Sequence, residues 1–504
     1  MHTLASPIRR ALAVAPHNEA VVCGDVRLTY TQWWERWQAL SRALRGAGLA
    51  RGDRVAVVAP NCHRYLELYF AVPAAGLVLV PLNARHTDAE LEYALNDSGA
   101  RLLFTHRESA ALTGAVERVV SLPDDYESFL DGVPDDPADP WPAPAEDDLA
   151  GLFYTGGTTG AAKGVMLTHR NLVANTYHYL SCAEFSPDTR WLVMAPLFHA
   201  AGSIAAMATV WAAGTHVVLP AFEPAAALDL IEGERVTATL GVPTMLAALA
   251  EEQERKARDV TSLVHLSHGG SPISSDVLRR AMAAFPGADF LHIYGATETA
   301  PIVTLLPHEQ HLVDRPEIRS CGRPAIGVEV MIAGPGGQPQ PRGEPGELLV
   351  RGPNVMTGYW NKPAESTDAL IDGWYRTGDV GYQDERGHVF LVDRSKDMIV
   401  TGGENVYSTE VEEVLFRHPA VREVAVFGVP DDRWGEAVIA VVHLRSPVDT
   451  DELLEHCRRS IAAYKVPKRI EVSAEPLPKS AVGKVLKREL REPYWVGRER
   501  RVGG

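Results

Sequence analysis

At 504 residues the chain is too long for one compact core and predicts about three domain-sized units. Its 46% hydrophobic and 23% charged residues are those of an ordinary globular protein, and a net charge of -16 argues against a nucleic-acid binder that relies on a strongly basic face. Five dispersed cysteines (Cys23, Cys62, Cys182, Cys321, Cys457) show neither a CxxC pair nor a metal-ligand spacing, so neither zinc nor a disulfide framework is indicated. Free thiols fit a reducing compartment. The first 19 residues lack the apolar core of a signal peptide, and no stretch approaches the roughly 20 apolar residues that span a bilayer. The expected location is the cytoplasm, with no integral membrane segment.

In chain order, Trp33, Trp37, Leu40 and Leu44 recur at helical spacing, and a short buried strand follows from Asp53 to Ala59. A helix over Tyr65–Ala75 and a strand over Val78–Leu82 continue an alternation that favours an α/β fold with a largely parallel sheet. A Pro- and Asp-rich stretch, 134–148, reads as a surface linker. A second α/β run covers about 171–294, with helices near 171–180 and 243–250 and a strand near 216–219. Past Pro301 the texture turns to short strands and Gly/Pro turns, which predicts a β-rich subdomain. After Asp393 comes a small α+β unit. There Thr409 and Glu412 are spaced for a capping box, Glu423–Phe427 reads as a strand, and 451–464 reads as a helix.

The most informative segment is Tyr154-Thr-Gly-Gly-Thr-Thr-Gly-Ala-Ala-Lys163-Gly164. Glycines let backbone approach an anion, hydroxyls donate hydrogen bonds and the lysine adds charge. It is not a Walker A loop, because no glycine directly precedes Lys163 and no Ser or Thr follows it. Strand-like runs at 152–154 and 165–167 make it a hairpin. Alone, it admits phosphate binding or a flexible surface turn.

Four further segments bear on the choice. Tyr294-Gly-Ala-Thr297-Glu298 follows a strand, placing a hydroxyl and a carboxylate where open α/β sheets bind ligands; that carboxylate could hold Mg²⁺ against a triphosphate. Asp379, in Tyr375-Arg-Thr-Gly-Asp, is expected on a turn suited to two ribose hydroxyls. Residues 393–407 combine a charged pair, Asp393-Arg394, with Gly402-Gly403. Pro478-Lys-Ser-Ala-Val-Gly-Lys484 presents a lysine after a short loop. Each alone has a plain alternative, since an acid on a turn is usually a solvated cap and a terminal lysine usually faces water.

The order and spacing of all five resemble the adenylate-forming superfamily of acyl-CoA synthetases, firefly-luciferase-like enzymes and peptide-synthetase adenylation domains. The resemblance covers about 28–490, and the Gly-Gly-Glu-Asn-Val-Tyr segment is most similar to stand-alone acyl-CoA synthetases. It implies a large N-terminal domain, 1–392, of two α/β subdomains and a β-rich subdomain. A small mobile α+β C-terminal domain, 393–504, would turn about a hinge near 393–394. The implied activity is ligation of a small-molecule carboxylic acid to CoA at the expense of ATP and with Mg²⁺, through an acyl-adenylate. Thr155, Gly156, Gly157, Thr158, Thr159, Gly160 and Lys163 would grip the ATP phosphates, with Thr159 on phosphate or metal. Gly269, Gly270 and Ser271 would lie beside adenine, near Tyr294, Gly295 and Ala296. Thr297 would contact the α-phosphate, Glu298 would ligate Mg²⁺, and Asp379 and Arg394 would hold the ribose. Lys484 would bridge the attacking carboxylate and the α-phosphate, where the transition state gathers negative charge. Gly402 and Gly403 would face the pantetheine tunnel after the hinge turns, with Glu404 beside them among the cofactor-binding residues. His199, in Pro196-Leu-Phe-His, matches an aromatic gate between acyl and nucleotide sites, whereas a histidine beside Phe198 is by itself more often a core residue.

The chain departs from the family pattern at Gly156, where Ser is typical, and at Ala162, where Pro is typical. Residues 200–214, which line the acyl pocket in the family, carry no charge, and neither do 300–304. That argues against a dicarboxylate and for an apolar tail or an aromatic ring, cinnamate-like or medium-chain. The same small residues also suit a helix packed tightly against a neighbour. Rival readings are transfer to a carrier-protein thiol or another nucleophile, a luciferase-like oxygenase, and a binding protein without catalysis. A homodimer is compatible with the sequence.

Overall fold

The structure is a computed structural model and describes residues 3–131, 143–155, 162–271, 273–311, 315–394, 397–401, 404–431, 433–479 and 485–496. The chain divides into two compact units, Met1–Glu329 with Val350–Tyr375, and Val330–Leu349 with Arg376–Gly504.

The first unit holds two sheets. In a six-stranded sheet, the strands Arg118–Ser121, Ala100–Thr105, Arg54–Val58, Val78–Pro81 and Leu149–Thr155 run parallel in that spatial order. Lys163–Thr168 closes it as an antiparallel edge strand. The nine-stranded sheet has a parallel centre, in which Ala238–Gly241, His265–Gly269 and Asp289–Tyr294 lie side by side. The helices expected for an α/β fold supply the connections, and one shows why they form. Thr29 accepts from the Gln32 backbone N–H and Gln32 answers on Thr29, so Tyr30–Gly46 starts with two of its free donors satisfied. Its Trp33, Trp37, Leu40 and Leu44 then fall on one buried stripe, and the Trp37 ring stacks on Phe70 with centroids 5.3 Å apart.

In the second unit, Val421–Asp431 and Gly435–Leu444 form a long antiparallel pair, joined by Arg469–Ser473. The sheet is covered on both faces: Val424 and Val426 point into one cluster, Ala425, Phe427 and Val429 into another. The strand is therefore a continuous apolar run rather than an alternating one.

Three local expectations are corrected. Thr409 and Glu412 make no capping box. Helix Ser408–Phe416 begins after Tyr407 with no side-chain cap, because the Thr409 hydroxyl donates to Val392 O and Glu412 is taken by the Val426 N–H and by Lys487. The helix expected over 451–464 spans Thr450–Ser460, since Ile461 turns to extended backbone and packs on the core. Asp379 lies not on a turn but within the strand Trp374–Gln383. Gly378 takes a positive φ of 70°, and the ladder to Val389–Arg394 begins at the next residue, Asp379.

Candidate active site

The phosphate-loop residues sit on a true hairpin. Leu149–Thr155 and Lys163–Thr168 are antiparallel, with Thr155 opposite Lys163. Residues 156–161, with Gly156, Gly157, Thr158, Thr159 and Gly160, lie outside the described residues. At the base, the Tyr154 hydroxyl donates to Asp97 (2.7 Å) and the Trp360 indole N–H to Asp97 O (3.0 Å), which fixes the plane from which the loop springs.

The second group lies at the carboxyl ends of adjacent parallel strands of the nine-stranded sheet. Gly269 is the register partner of Ile293, so Gly269, Gly270 and Ser271 leave the sheet beside Tyr294, Gly295 and Ala296. Side chains are excluded here: a Cβ on Gly295 would stand 1.7 Å from Pro301 O, and one on Gly269 would stand 2.2 Å from Ile293 O. Thr297 and Glu298 open the short 3-10 turn Thr297–Thr299. The corner is closed by Val303 N–H to Tyr294 O (2.8 Å), and Ala300 within it holds a positive φ of 59°, a strained setting for a residue with a Cβ. Glu298 Oε1 accepts from the Tyr359 hydroxyl at 2.9 Å, and among the described residues the carboxylate makes no ion pair. A partly exposed carboxylate at a strand end has the hard oxygen chemistry that Mg²⁺ takes. No cluster of three or more metal-ligating His, Cys, Asp or Glu side chains occurs among the described residues.

His199 precedes the helix Ala200–Ala212, its ring 4.6 Å from that of Phe198. Burial pulls its pKa down to about 4, with the nearby His86 and Arg85 charges adding to the effect, so the imidazole is neutral near pH 7. Its Nε2 is buried and has no hydrogen-bond partner among the described residues, unlike the satisfied core histidine His216, which bonds Ala20 O and Ala206 O. The approach is fixed by Asn61, whose amide donates to Ala195 O (3.0 Å) and accepts from the Leu197 N–H (2.9 Å). The following helix is a packing element over much of its length. Thr176 Oγ1 approaches Met207 Sδ (3.7 Å), Arg10 donates to Trp211 O, and a Cβ on Gly202 would stand 2.5 Å from Pro196 O.

In the second unit the structure brings two predicted residues together. Asp379 stands directly opposite Arg394 across the antiparallel ladder, though 15 positions separate them in the chain. Asp379 is 8% exposed, and its N–H donates to Thr377 Oγ1 (3.0 Å). Glu404 lies on Glu404–Val406, paired with Thr401. Gly402, Gly403 and Lys484 lie outside the described residues. Lys479 and Val485, on either side of the lysine-bearing segment, form an antiparallel bridge.

Models of known families match this chain twice: "AMP-binding enzyme" over residues 8–360 and "AMP-binding enzyme C-terminal domain" over 410–484. The chain belongs to the AMP-binding enzyme family. A feruloyl-CoA synthase from an Amycolatopsis species is 43% identical over 97% of this chain and 98% of its own length. The fatty acid–[acyl-carrier-protein] ligase ScoC of Streptomyces coeruleorubidus is 36% identical over 97% of this chain and 95% of its own. Among solved structures, o-succinylbenzoate CoA synthetase from Bacillus subtilis, in complex with its acyl-adenylate intermediate, aligns with a TM-score of 0.86. It is 30% identical and the match covers 96% of this chain and 97% of that one. The α/β architecture with a large N-terminal and a small C-terminal part is the one shared with these AMP-binding enzymes. No helix among the described residues is long and apolar enough to cross a membrane.

Sequence reasoning missed the buried amides that hold this AMP-binding enzyme's Glu298 corner. Asn354 Nδ2 donates to Thr299 O (2.8 Å) and Ile302 O (2.7 Å), and Asn175 Nδ2 reaches the same two carbonyls at 3.3 and 3.5 Å. Asn171 Nδ2 donates to Pro353 O and Val355 O, both at 2.8 Å. Asn175 and Asn354 are fully buried. A signal existed in principle, since three asparagines in otherwise apolar settings must be satisfied by something.

Proposed function

We propose that this chain is an ATP-dependent carboxylic acid–CoA ligase that works through an acyl-adenylate, on an aromatic acid of the cinnamate or benzoate type or on a medium-chain fatty acid. The observation that carries this reading is 43% identity to a feruloyl-CoA synthase across nearly the whole chain. An uncharged helix after His199 agrees with it, because an apolar acid needs no counter-charge in its pocket.

In the first half-reaction a carboxylate oxygen of the acid attacks the α-phosphorus of ATP and pyrophosphate leaves, giving acyl-AMP. Thr155, Lys163 and the residues between them grip the phosphates, Thr297 contacts the α-phosphate, and Asp379 with Arg394 holds the ribose. Glu298, with Thr159, would hold magnesium, which when bound neutralises the phosphate charge. Lys484 bridges the two anions that must meet. In the second half-reaction the CoA thiolate attacks the acyl carbonyl and AMP leaves. We assign the switch between the two to rotation about 393–394, which exchanges Lys484 for the face bearing Gly402, Gly403 and Glu404. Lys484→Ala should then lose adenylate formation while still making thioester from a preformed acyl-adenylate.

A second reading passes the acyl group to a carrier protein, and the 36% identical carrier-protein ligase favours it specifically. One experiment separates the two: pyrophosphate release from MgATP across a panel of carboxylic acids, with and without CoA, with product masses. An acyl-CoA mass with acid-dependent release supports the ligase. Release without a CoA product moves the acceptor to a carrier thiol, and silence across the panel with ATP still bound overturns both.

A further inference from the structure

Residues 353–360 form a strap that ties the phosphate hairpin to the Glu298 corner. On one side the strap zips to the hairpin: Thr357 N–H donates to Met166 O (3.1 Å), Met166 N–H to Gly358 O (3.0 Å) and Trp360 N–H to Gly164 O (2.8 Å). On the other side it holds the corner, through the Asn354 amide on Thr299 O and Ile302 O, and through Met356 N–H to Glu298 O (2.8 Å). Tyr359 stands where the two sides meet. Its hydroxyl donates to Glu298 Oε1 at 2.9 Å, and the Lys163 ammonium lies 4.9 Å from the centroid of its ring, within cation–π range. The Tyr359 oxygen in turn accepts from Tyr375, while burial and the Glu298 charge hold its own proton tightly. Its backbone N–H is pinned by Ser366 Oγ at 2.8 Å.

Neither Glu298 nor Lys163 has an ion-pair partner among the described residues, so Tyr359 is the side chain that orients both. We propose that Tyr359 is the positioning residue that sets the carboxylate and the ammonium in register with each other, so that metal and phosphate are received as one unit. The inference rests on the reading above, in which Glu298 takes magnesium and Lys163 takes phosphate. A ligand carboxylate held by one hydrogen bond keeps a single orientation; without it the carboxylate samples several, and metal affinity falls roughly tenfold to a hundredfold.

The test is calorimetric titration of Mg²⁺, and of Mn²⁺ as a probe, into full-length enzyme saturated with a non-hydrolysable ATP analogue, for wild type, Tyr359→Phe, Tyr359→Leu and Glu298→Gln. Tyr359→Phe keeps the ring and the buried volume and removes only the hydroxyl. It should weaken metal binding roughly tenfold, raise the Mg²⁺ concentration that half-saturates pyrophosphate release, and leave the KM for the acid unchanged. Thioester formation from synthetic acyl-adenylate and CoA should also be unchanged. Tyr359→Leu should in addition weaken binding of the ATP analogue itself. Metal affinity unchanged in Tyr359→Phe but lost in Glu298→Gln overturns the role of Tyr359 and leaves the metal assignment standing. Metal affinity unchanged in both overturns the assignment of Glu298. A uniform loss of both half-reactions in Tyr359→Phe, with metal affinity intact, makes the tyrosine merely structural and overturns the proposal.

Discussion

The hairpin of Thr155 and Lys163 and the corner of Thr297 and Glu298 are both read as phosphate-facing, yet they are built on opposite plans. The hairpin is an edge pair held by one ladder and by the strap, and its sequence spends glycine and threonine at the tip. The corner is held from three directions: the parallel strand beneath it, the Asn175 and Asn354 amides beside it, and the Met356 and Tyr359 contacts above it. It carries a left-handed alanine that only such crowding sustains. In the proposed reading the difference follows from the tasks. A triphosphate chain is long and is gripped by wrapping, whereas a metal ligand must stand at one place, so the carboxylate is the over-determined group.

The largest expected effect is at the corner. Glu298→Gln keeps the shape and the Tyr359 contact but removes the charge, and adenylation should fall about 10²–10³-fold in kcat with the protein still folded; a loss under threefold would make the corner no more exacting than the hairpin. Next is Asn354→Leu, which leaves Thr299 O and Ile302 O with only the longer Asn175 bonds. It should cost about 1–3 kcal/mol in denaturant unfolding and lower adenylation more than thioester formation, whereas equal loss in both would detach the amide clamp from the site.

Acid should separate the two regions as well. Under the corner, His268 and His292 are register partners whose rings stack with centroids 4.8 Å apart, and His268 Nε2 meets His311 Nε2 at 3.0 Å. Burial lowers all three, His292 to about 4, His311 to about 3 and His268 well below the usual imidazole value. In the unfolded chain the same imidazoles protonate near pH 6.5. Their neutral burial thus contributes fully above that pH and is lost as the pH falls from about 6.5 toward 4. Thermal unfolding should drop across that window, and amide exchange should rise first at 265–269 and 289–294. Exchange rising first at 149–155 would reverse the ranking. The smallest effect is at the hairpin: Ala162→Pro restores the residue typical of the family and should change stability by about 0.4–1 kcal/mol and adenylation by a factor near two.

These regions also differed in how far they could be read from sequence. The candidate site segments stand out in the sequence because glycine, hydroxyl and cation cluster at short spacing in them, and the apolar stripe of Trp33, Trp37, Leu40 and Leu44 was legible because helical periodicity is local. Asn171, Asn175 and Asn354 were not, since each amide's role depends on carbonyls between 52 and 184 positions away. Thr409 and Glu412 misled for the converse reason: a spacing right for a cap was outcompeted by Val392 O and Lys487. Asp379 looked like a turn residue because Gly378 precedes it, and only the partner strand, with Arg394 opposite, shows that Asp379 opens a ladder.

The strap has a consequence for synthesis. Its contacts join residues near 165, 171 and 299 to residues 353–360, so the corner has only its Asn175 clamp while the ribosome still shelters that last stretch. A nascent chain paused at about residue 330 would have every strand of the nine-stranded sheet and all the phosphate-loop glycines, yet Glu298 and Lys163 would lack the tyrosine that aligns them. Competence to align the metal with the phosphates should therefore arrive with the emergence of a segment that itself touches no nucleotide in the proposed reading, and truncated chains ending before it should fold in part and bind the metal poorly.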